Sequence, residues 1–153
     1  MSRLSVARRV CRVSLRTIMT NLAPVLPRRI VVTAAVIEQD GCFLVTRRPR
    51  GVHLEGLWEF PGGKCEKGET HVSSLEREIT EELSTGVVVG REVFTITHTY
   101  PDRVVELHFF ECRLTGSPVA ALGQEMQWVS REDLSSLPFP PADEELIRRL
   151  TTP

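Results

Sequence analysis

Residues 63–86 read GKCEKGETHVSSLEREITEELSTG, and most of what the chain indicates about its architecture and chemistry lies in this stretch. The pattern predicts a glycine turn followed by one amphipathic helix with Thr70 as the N-cap. At about 100° per residue, the carboxylates of Glu78, Glu81 and Glu82 fall within one sector of that helix. An apolar stripe lies beside them, formed by Val72, Leu75, Ile79 and Leu83. The stripe predicts that this helix packs against the rest of the protein.

The grouping of three carboxylates on one side of the helix needs a physical reason, because like charges one helical turn apart repel and do not stabilise a helix. A divalent cation would remove the repulsion, since carboxylate oxygens are the hard ligands that Mg²⁺ and Mn²⁺ prefer. The alternative is a solvated acidic face, the usual meaning of such a pattern. Two neighbours favour the metal: Gly62 and Gly63 form a turn that can approach a ligand, and Arg77 can pair with Glu69 or Glu81 and orient the carboxylates.

The stretch resembles the Nudix box, G-x5-E-x7-R-E-U-x-E-E-x-G-U, where U is an aliphatic residue. The positions that match are Gly63, Glu69, Arg77, Glu78, Ile79, Glu81 and Glu82. Ser84 and Thr85 depart from it, because they stand where the family has a glycine and an aliphatic residue. Ser84 should resist the left-handed conformation that glycine adopts at a helix end, so we expect the helix end or the next turn to be altered.

The resemblance implies an α/β fold, the Nudix α/β/α sandwich with a mixed β-sheet and the loop-helix-loop of the box. It also implies Mg²⁺, or Mn²⁺, as cofactor. The implied metal ligands are the main-chain carbonyl of Gly63 and the carboxylates of Glu78, Glu81 and Glu82. Glu78 is expected to act also as the general base, with Glu69 and Arg77 organising the carboxylates around it.

The resemblance extends over about residues 29–150, where it is to the MutT-like subgroup, which hydrolyses oxidised purine nucleoside triphosphates. The matching pieces are TRR (46–48), His53, EFPGGK (59–64), PDR (101–103) and FPPAD (139–143). The residues that it implies around a nucleotide are Arg48, His53, Glu59, Phe60, Asp102, Arg103, Phe139 and Asp143. Each has a purely structural alternative; Phe60 suits a core, for example, and Asp143 suits the N-cap of a last helix.

The residue at position 143 bears on which base the protein recognises. MutT has asparagine where this chain has Asp143, and related CTP pyrophosphohydrolases have the same A-D pair, so an 8-oxopurine and a cytosine substrate both remain open. An ionised aspartate only accepts hydrogen bonds, whereas an amide also donates.

Many Nudix enzymes use a further glutamate six residues before the last-strand tryptophan. Here that position is Leu122, and Glu125 is either its substitute as a metal ligand or an exposed loop acid.

Composition and charge agree with one domain of 153 residues, of which 41% are hydrophobic. Residues 1–37 hold seven arginines and no acid, so the remaining 116 residues carry 12 basic against 20 acidic side chains. Such an acidic body binds phosphate poorly without metal ions and argues against a nucleic-acid-binding surface. Four scattered cysteines without a C-x-x-C pair predict free thiols in a reducing compartment.

The arginine-rich N-terminal stretch has three interpretations, which one sequence does not separate. It resembles a mitochondrial transit peptide, since it is amphipathic, contains serine and lacks acids. It could instead precede the true start at Met19, or form an ordinary disordered tail. In each case residues 1–27 are predicted to be an extension or leader, and residues 28–153 the Nudix hydrolase domain.

The rest of the chain predicts alternating elements. Strands are expected at 30–37, 42–47, 58–60, 93–99, 104–114 and 126–130, with a short turn at 130–133 and a closing helix at 142–150. Gln39-Asp40-Gly41 predicts a hairpin turn. No apolar run approaches the roughly 20 residues that span a membrane.

We therefore expect a metal-dependent pyrophosphohydrolase that converts a nucleoside triphosphate to the monophosphate and pyrophosphate, sanitising modified nucleotides such as 8-oxo-dGTP. The alternatives are a CTP or dCTP pyrophosphohydrolase, an RNA 5′-pyrophosphohydrolase, and a non-catalytic Nudix-fold module that binds nucleotides. The expected partner is the nucleotide, without nucleic acid or membrane, and the expected assembly is a monomer or homodimer. The expected location is the cytoplasm, or the mitochondrion if residues 1–20 are a transit peptide.

Overall fold

The computed structural model describes residues 26–153, so the predicted extension lies outside the described residues except for its last two positions. The elements are β1 (Arg28–Gln39), β2 (Cys42–Arg47), β3 (Trp58–Glu59), β4 (Gly62–Lys64), α1 (His71–Leu83), β5 (Val87–Thr99), β6 (Arg103–Leu114), β7 (Met126–Ser130) and α2 (Glu144–Thr151). Short 3₁₀ turns at Leu134–Ser136 and Pro141–Asp143 precede α2. Among these described elements, no helix has the length and apolar character needed to cross a bilayer.

Within residues 26–153 the seven strands form one mixed sheet whose main path is β3-β2-β1-β6-β5. β1 runs parallel to β6, while β5 pairs antiparallel with β6 and β2 antiparallel with β1. β4 and β7 lie off this path, on β1 and β2 respectively. The β1–β2 hairpin turns at Asp40 and Gly41, whose φ angles of 51° and 77° match the left-handed turn that the sequence predicts.

Each face of the sheet buries its own apolar cluster, because neighbouring residues of a strand point to opposite faces. On one face Ala35, Ile37 and Phe110 pack against α1. The opposite face packs against α2, and Ala34, Val36 and Phe109 contribute to that cluster with Leu146 and Ile147. The chain thus forms the predicted α/β/α sandwich.

The double-glycine segment is where the predicted turn is wrong. Gly62–Lys64 instead forms β4, which pairs antiparallel with β1 so that Gly62 faces Ala34 and Gly63 faces Thr33. A β-carbon on Gly62 would lie 2.0 Å from the carbonyl oxygen of Thr33. Gly62 therefore permits an approach to the β1 backbone that a side chain would block. β4 in turn leads the chain from the sheet to α1.

Both ends of α1 have defined caps. The Thr70 hydroxyl accepts a hydrogen bond from the Ser73 amide at 3.0 Å, and the Ser73 hydroxyl accepts one from the Thr70 amide at the same distance, which confirms the predicted N-cap. At the other end Ser84 adopts the left-handed conformation, with φ 50° and ψ 33°. The expectation that Ser84 would resist this conformation was wrong, because its amide still donates to the Thr80 carbonyl and closes the last turn.

Two element boundaries differ from the prediction for local reasons. β5 begins at Val87 rather than residue 93, since two bulges between Val89 and Phe94 interrupt the alternation that marks a strand without ending its pairing with β6. The closing helix begins later than predicted, because residues 141–143 form a 3₁₀ turn before α2.

Candidate active site

Arg77 is the centre of the polar network at the start of the acidic cluster. Its guanidinium donates to both carboxylate oxygens of Glu69, at 2.7 and 3.0 Å, and to Glu78 Oε1 at 2.8 Å. It also donates to the Lys64 carbonyl at 3.1 Å, and its Nη1 lies 3.5 Å from Glu81 Oε2. These bonds lower the pKa of Glu69 to about 2, first through Arg77 and then through the Glu66 amide. Arg77 thus joins the box helix to β4 and orients Glu78.

Gly63 and Glu78 are in close contact. A β-carbon on Gly63 would lie 2.3 Å from Cδ of Glu78, so that only glycine leaves room for this carboxylate beside β4. The absence of a side chain also exposes the main chain of Gly63 to the cleft that Glu78 lines.

We expect Gly63→Ala to lower kcat about tenfold while leaving the melting temperature near that of the wild type, because the clash displaces the mobile end of Glu78 and disturbs its orientation. The matched variant is Gly62→Ala, whose β-carbon meets the main chain of Thr33 instead. That variant should lose stability, since backbone cannot move aside. Thermal unfolding and steady-state kinetics of both variants test this contrast, and equal melting temperatures for the two would contradict it.

Glu82 is the most perturbed acid of the cluster. Burial and then the negative charges of Glu59, Glu78 and Glu81 raise its pKa to about 8, while a hydrogen bond from the Gly62 amide opposes the shift. Glu81 remains more accessible, with 58% of its side chain exposed. A half-buried carboxyl close to other carboxylates is an environment that a cation would stabilise.

The residues present fit a divalent cation. The candidate donors are all oxygen atoms, and the charged groups that shift the pKa of Glu82 are the carboxylates of Glu59, Glu78 and Glu81. In residues 26–153 no three acidic, histidine or cysteine side chains are already gathered as a metal cage. Instead, Glu69, Glu78 and Glu81 share Arg77 as their counter-charge.

A cleft of about 570 Å³ extends from Glu78 and Glu82 to the far side of the sheet. Its volume lies within the range of small-molecule sites. The predicted residues that line it are Arg48, His53, Glu59, Phe60, Gly63, Glu78, Glu82, Arg103 and Asp143. The predicted residues outside its lining are Glu69, Arg77, Glu81, Asp102, Glu125 and Phe139.

Arg48 holds the loop that closes one wall of the cleft. Its Nε donates to the His53 carbonyl at 2.8 Å, and its Nη1 forms an ion pair with Glu59. The His53 ring contacts Tyr100 edge to face, with the ring centroids 5.0 Å apart. Burial nevertheless raises the pKa of Glu59, with Arg48 opposing the shift.

Asp143 lies at the end of the cleft away from the box helix and is 4% exposed. Asp143 occupies the N-cap position of α2, as the alternative assignment predicts, but its side chain makes no capping hydrogen bond. Burial and then the negative charge of Glu59 raise its pKa to about 7, against the opposing effect of Arg48. At neutral pH, Asp143 is therefore poised between a form that donates and a form that only accepts hydrogen bonds.

The remaining predicted residues support the cleft or lie beside it. Phe139 stacks on Phe60 with centroids 5.6 Å apart, and Asp102 accepts a hydrogen bond from Arg103 Nε at 2.9 Å. Glu125 faces elsewhere: both of its carboxylate oxygens pair with Arg47 Nη1, at 3.1 and 3.2 Å.

Sequence reasoning missed several lining residues, namely Val52, Leu54, Tyr100, Val105 and Leu107. A signal existed for two of them, since Val105 and Leu107 alternate with Phe109 along β6 and must share its face. Tyr100 had no such signal, because only the packing of the 48–57 loop shows that it lies opposite His53.

Comparison with known proteins adds independent evidence. The family model described as NUDIX domain matches residues 32–149. The chain is 36% identical over 121 residues to the CTP pyrophosphohydrolase of Escherichia coli K12, an alignment that covers 78% of this chain and 90% of that protein. It is 35% identical over 124 residues to the 8-oxo-dGTP diphosphatase of Haemophilus influenzae, with 79% and 90% covered.

Solved structures agree in fold. The solution structure of the DNA mismatch repair protein MutT, a Nudix hydrolase from methicillin-resistant Staphylococcus aureus 252, superposes with a TM-score of 0.70 at 34% identity. That match covers 82% of this chain and 98% of the other. The cleft that the box-helix carboxylates border therefore lies in a fold that the chain shares with the Staphylococcus aureus MutT protein.

Proposed function

The chain belongs to the Nudix domain family, and on that premise we propose that it hydrolyses a nucleoside triphosphate to the monophosphate and pyrophosphate. It is a Nudix hydrolase of the MutT-like kind. The observation that carries the proposal is that one cleft is lined by Glu78 and Glu82 and also by Arg48 and Asp143. Its two ends suit the two ends of a nucleotide: oxygen donors for a cation-bound triphosphate, and an aromatic, partly polar end for a base.

In the proposed reaction, water attacks the α- or β-phosphorus and its proton passes to Glu78. The bridge between these two phosphorus atoms breaks, which leaves the nucleoside monophosphate and pyrophosphate. Arg77 holds Glu78 in one orientation through the 2.8 Å hydrogen bond to Oε1, so that its other oxygen stays free to accept a proton. The predicted ligands Gly63, Glu78, Glu81 and Glu82 would hold Mg²⁺ or Mn²⁺. When bound, that ion supplies the positive charge that a triphosphate needs in an acidic cleft.

The base would occupy the end of the cleft around Phe60 and Asp143. Arg48 and Arg103 also line the cleft and would add positive charge near the sugar and phosphates. Phe60 is 4% exposed and stacked on Phe139, which makes it a rigid wall. The predicted direct contacts of Asp102 and Phe139 with substrate become supporting contacts in this proposal.

Two substrates fit, and each has a specific observation in its favour. The oxidised purine 8-oxo-dGTP is the substrate named for the Haemophilus influenzae relative, whereas the Escherichia coli relative at 36% identity is a CTP pyrophosphohydrolase. Asp143 is compatible with both bases because it titrates near neutrality. We place 8-oxo-dGTP first, with a role in sanitising the nucleotide pool, and CTP or dCTP second.

The deciding experiment is a panel of nucleotides with Mg²⁺ in which pyrophosphate and phosphate are followed separately. The proposal requires release of pyrophosphate with the nucleoside monophosphate. Turnover of 5′-triphosphate RNA alone would favour the RNA pyrophosphohydrolase alternative. Tight nucleotide binding without any turnover would favour the non-catalytic module and reject the proposed reaction.

We further propose that Glu125 binds the metal ion only if its ion pair with Arg47 breaks.

We also propose that residues 28–153 form the catalytic domain and are sufficient for activity. Deletion of residues 1–20 should leave kcat and KM within about twofold of the full chain, since every cleft residue lies after position 29. Steady-state kinetics of the shortened chain check this. A large loss of activity would contradict the leader, start-site and tail interpretations alike.

The remaining proposals concern the binding partner, the oligomeric state and the cellular location. The acidic body argues for a free nucleotide as the partner rather than nucleic acid. We propose a cytoplasmic monomer or homodimer, with a mitochondrial location if the first 20 residues act as a transit peptide. Sedimentation and microscopy of the full chain address both points.

A further inference from the structure

The C-terminal end of α1 has an unusual cap. The last carbonyls of a helix lack partners within the helix and must be satisfied by other groups. A glycine in the left-handed conformation normally begins that cap, but here Ser84 adopts it and carries the steric cost of its side chain. Glu82, the most perturbed acid of the cleft, lies only two residues before Ser84, so the quality of this cap bears on the position of its carboxylate.

The loop at residues 115–125 supplies the missing donors. The Val119 amide donates to the Leu83 carbonyl at 2.9 Å, and the Ala121 amide donates to the Glu82 carbonyl at 3.0 Å. Gln124 adds a third bond, from its Nε2 to the same Glu82 carbonyl at 2.9 Å. Both lone-pair directions of the Glu82 carbonyl are therefore used, and a loop distant in sequence completes the helix end.

The Gln124 side chain is occupied at both ends. While Nε2 donates to Glu82, Oε1 accepts a hydrogen bond from the Leu122 amide at 2.9 Å. A side chain must both donate and accept to form this bridge, which a carboxylate or an aliphatic group cannot do. The bridge gives the loop one defined shape at the point where it touches the helix.

We infer that Gln124 is a positioning residue for the hydrolysis: it ties the 115–125 loop to the main chain of Glu82 and so holds the Glu82 carboxylate in the cleft. The inference rests on the proposed function for the role of Glu82. It explains how the chain tolerates Ser84, because the loop provides the hold that a glycine cap would otherwise give. Gln124 does not itself line the cleft, and its contact with a lining residue is the hydrogen bond to the main chain of Glu82.

The test compares Gln124→Ala and Gln124→Glu with Gln127→Ala as the matched control. Gln124→Glu keeps the acceptor for Leu122, loses the donor to Glu82 and sets a charged acceptor oxygen against the Glu82 carbonyl. Gln127 is the same residue type, lies on β7 and is exposed. If Gln124→Ala does not fold, Gln124→Glu, which keeps the hydrogen bond to the Leu122 amide, still tests the inference.

Three readouts separate positioning from stability. We expect both Gln124 variants to lower kcat about tenfold or more, with KM nearly unchanged, and to weaken Mn²⁺ binding measured without nucleotide by a similar factor. Hydrogen exchange at the Val119 and Ala121 amides should accelerate about tenfold, because one supporting hydrogen bond is lost. Gln127→Ala should match the wild type in all three measurements.

Wild-type kcat and Mn²⁺ affinity in the Gln124 variants would overturn the inference, whether or not exchange accelerates, since the residue would then be purely structural. Unchanged exchange would overturn it as well. If the wild type hydrolyses no nucleotide, the proposed function fails, but Mn²⁺ affinity and hydrogen exchange still decide the role of Gln124.

Discussion

Glu78→Gln is expected to lower kcat by about 10²–10⁴-fold, which is the range for loss of a general base. Glutamine keeps an oxygen that can accept the hydrogen bond from Arg77 Nη1, so the side chain should stay in place. It cannot take a proton from water, and it carries no charge for a cation. KM for the nucleotide should change less than kcat, because the lost interaction belongs to the reaction step rather than to binding of the base.

The matched control for this variant is Glu76→Gln. Glu76 lies on the same helix and is exposed, and it does not line the cleft. Pyrophosphate release and thermal unfolding should both stay near wild type for Glu76→Gln, whereas only unfolding should do so for Glu78→Gln. Near-normal turnover of Glu78→Gln would reject the proposed site, because no other residue of the cluster is placed against both Gly63 and Arg77.

The fold was largely predictable because its main signals are local. Hydrophobic alternation located most of the strands, and Thr70 and the apolar stripe located α1. The departures occur where a contact distant in sequence decides the conformation. β4 exists because β1 passes within reach of Gly62 and Gly63, and two glycines in isolation favour a turn.

Ser84 illustrates the same limit at a helix end. Its local preference is against the left-handed conformation, and that preference was the basis of the prediction. Hydrogen bonds from Val119, Ala121 and Gln124 to the preceding carbonyls override it. No pattern within the box could indicate donors that come from about 40 residues later in the chain.

The sequence predicted which residues belong to the candidate site better than it predicted how they are arranged. Motif matches named nine residues that line the cleft, including both ends of it. They did not indicate that Glu125 pairs with Arg47, nor that Asp143 is buried without a capping bond. Burial and pairing depend on how loops pack, and the pKa values of Glu82 and Asp143 follow from that packing.

Asp143→Asn is expected to change the ranking of 8-oxo-dGTP against CTP by about tenfold or more, since a hydrogen bond to a charged group contributes about 1.5–3 kcal/mol. In the wild type this ranking should also change between pH 6 and pH 8, because the pKa of Asp143 is raised to about 7 and the donor form is lost above it. The asparagine amide does not titrate, so its ranking should be flat over the same range.

The ratio of kcat/KM for the two substrates is the quantity to measure, because titration of the phosphates is common to both and cancels. Asp40→Asn is the matched control, since Asp40 is exposed in the β1–β2 turn and asparagine tolerates its left-handed conformation. A ranking that is the same in Asp143→Asn and the wild type at every pH would remove Asp143 from the base site.

Stability offers a second measurement of the same group that needs no substrate. Between its ordinary pKa of 3.8 and its raised value of about 7, Asp143 holds a proton in the folded protein that the unfolded chain has released. The wild-type free energy of unfolding must therefore fall, relative to Asp143→Asn, as pH rises through this window, by about 4 kcal/mol. Urea unfolding of both proteins at pH 4, 6 and 8 measures the difference. A difference that does not vary with pH would mean that Asp143 is not buried as an acid, and its assignment to the base site would lose its physical basis.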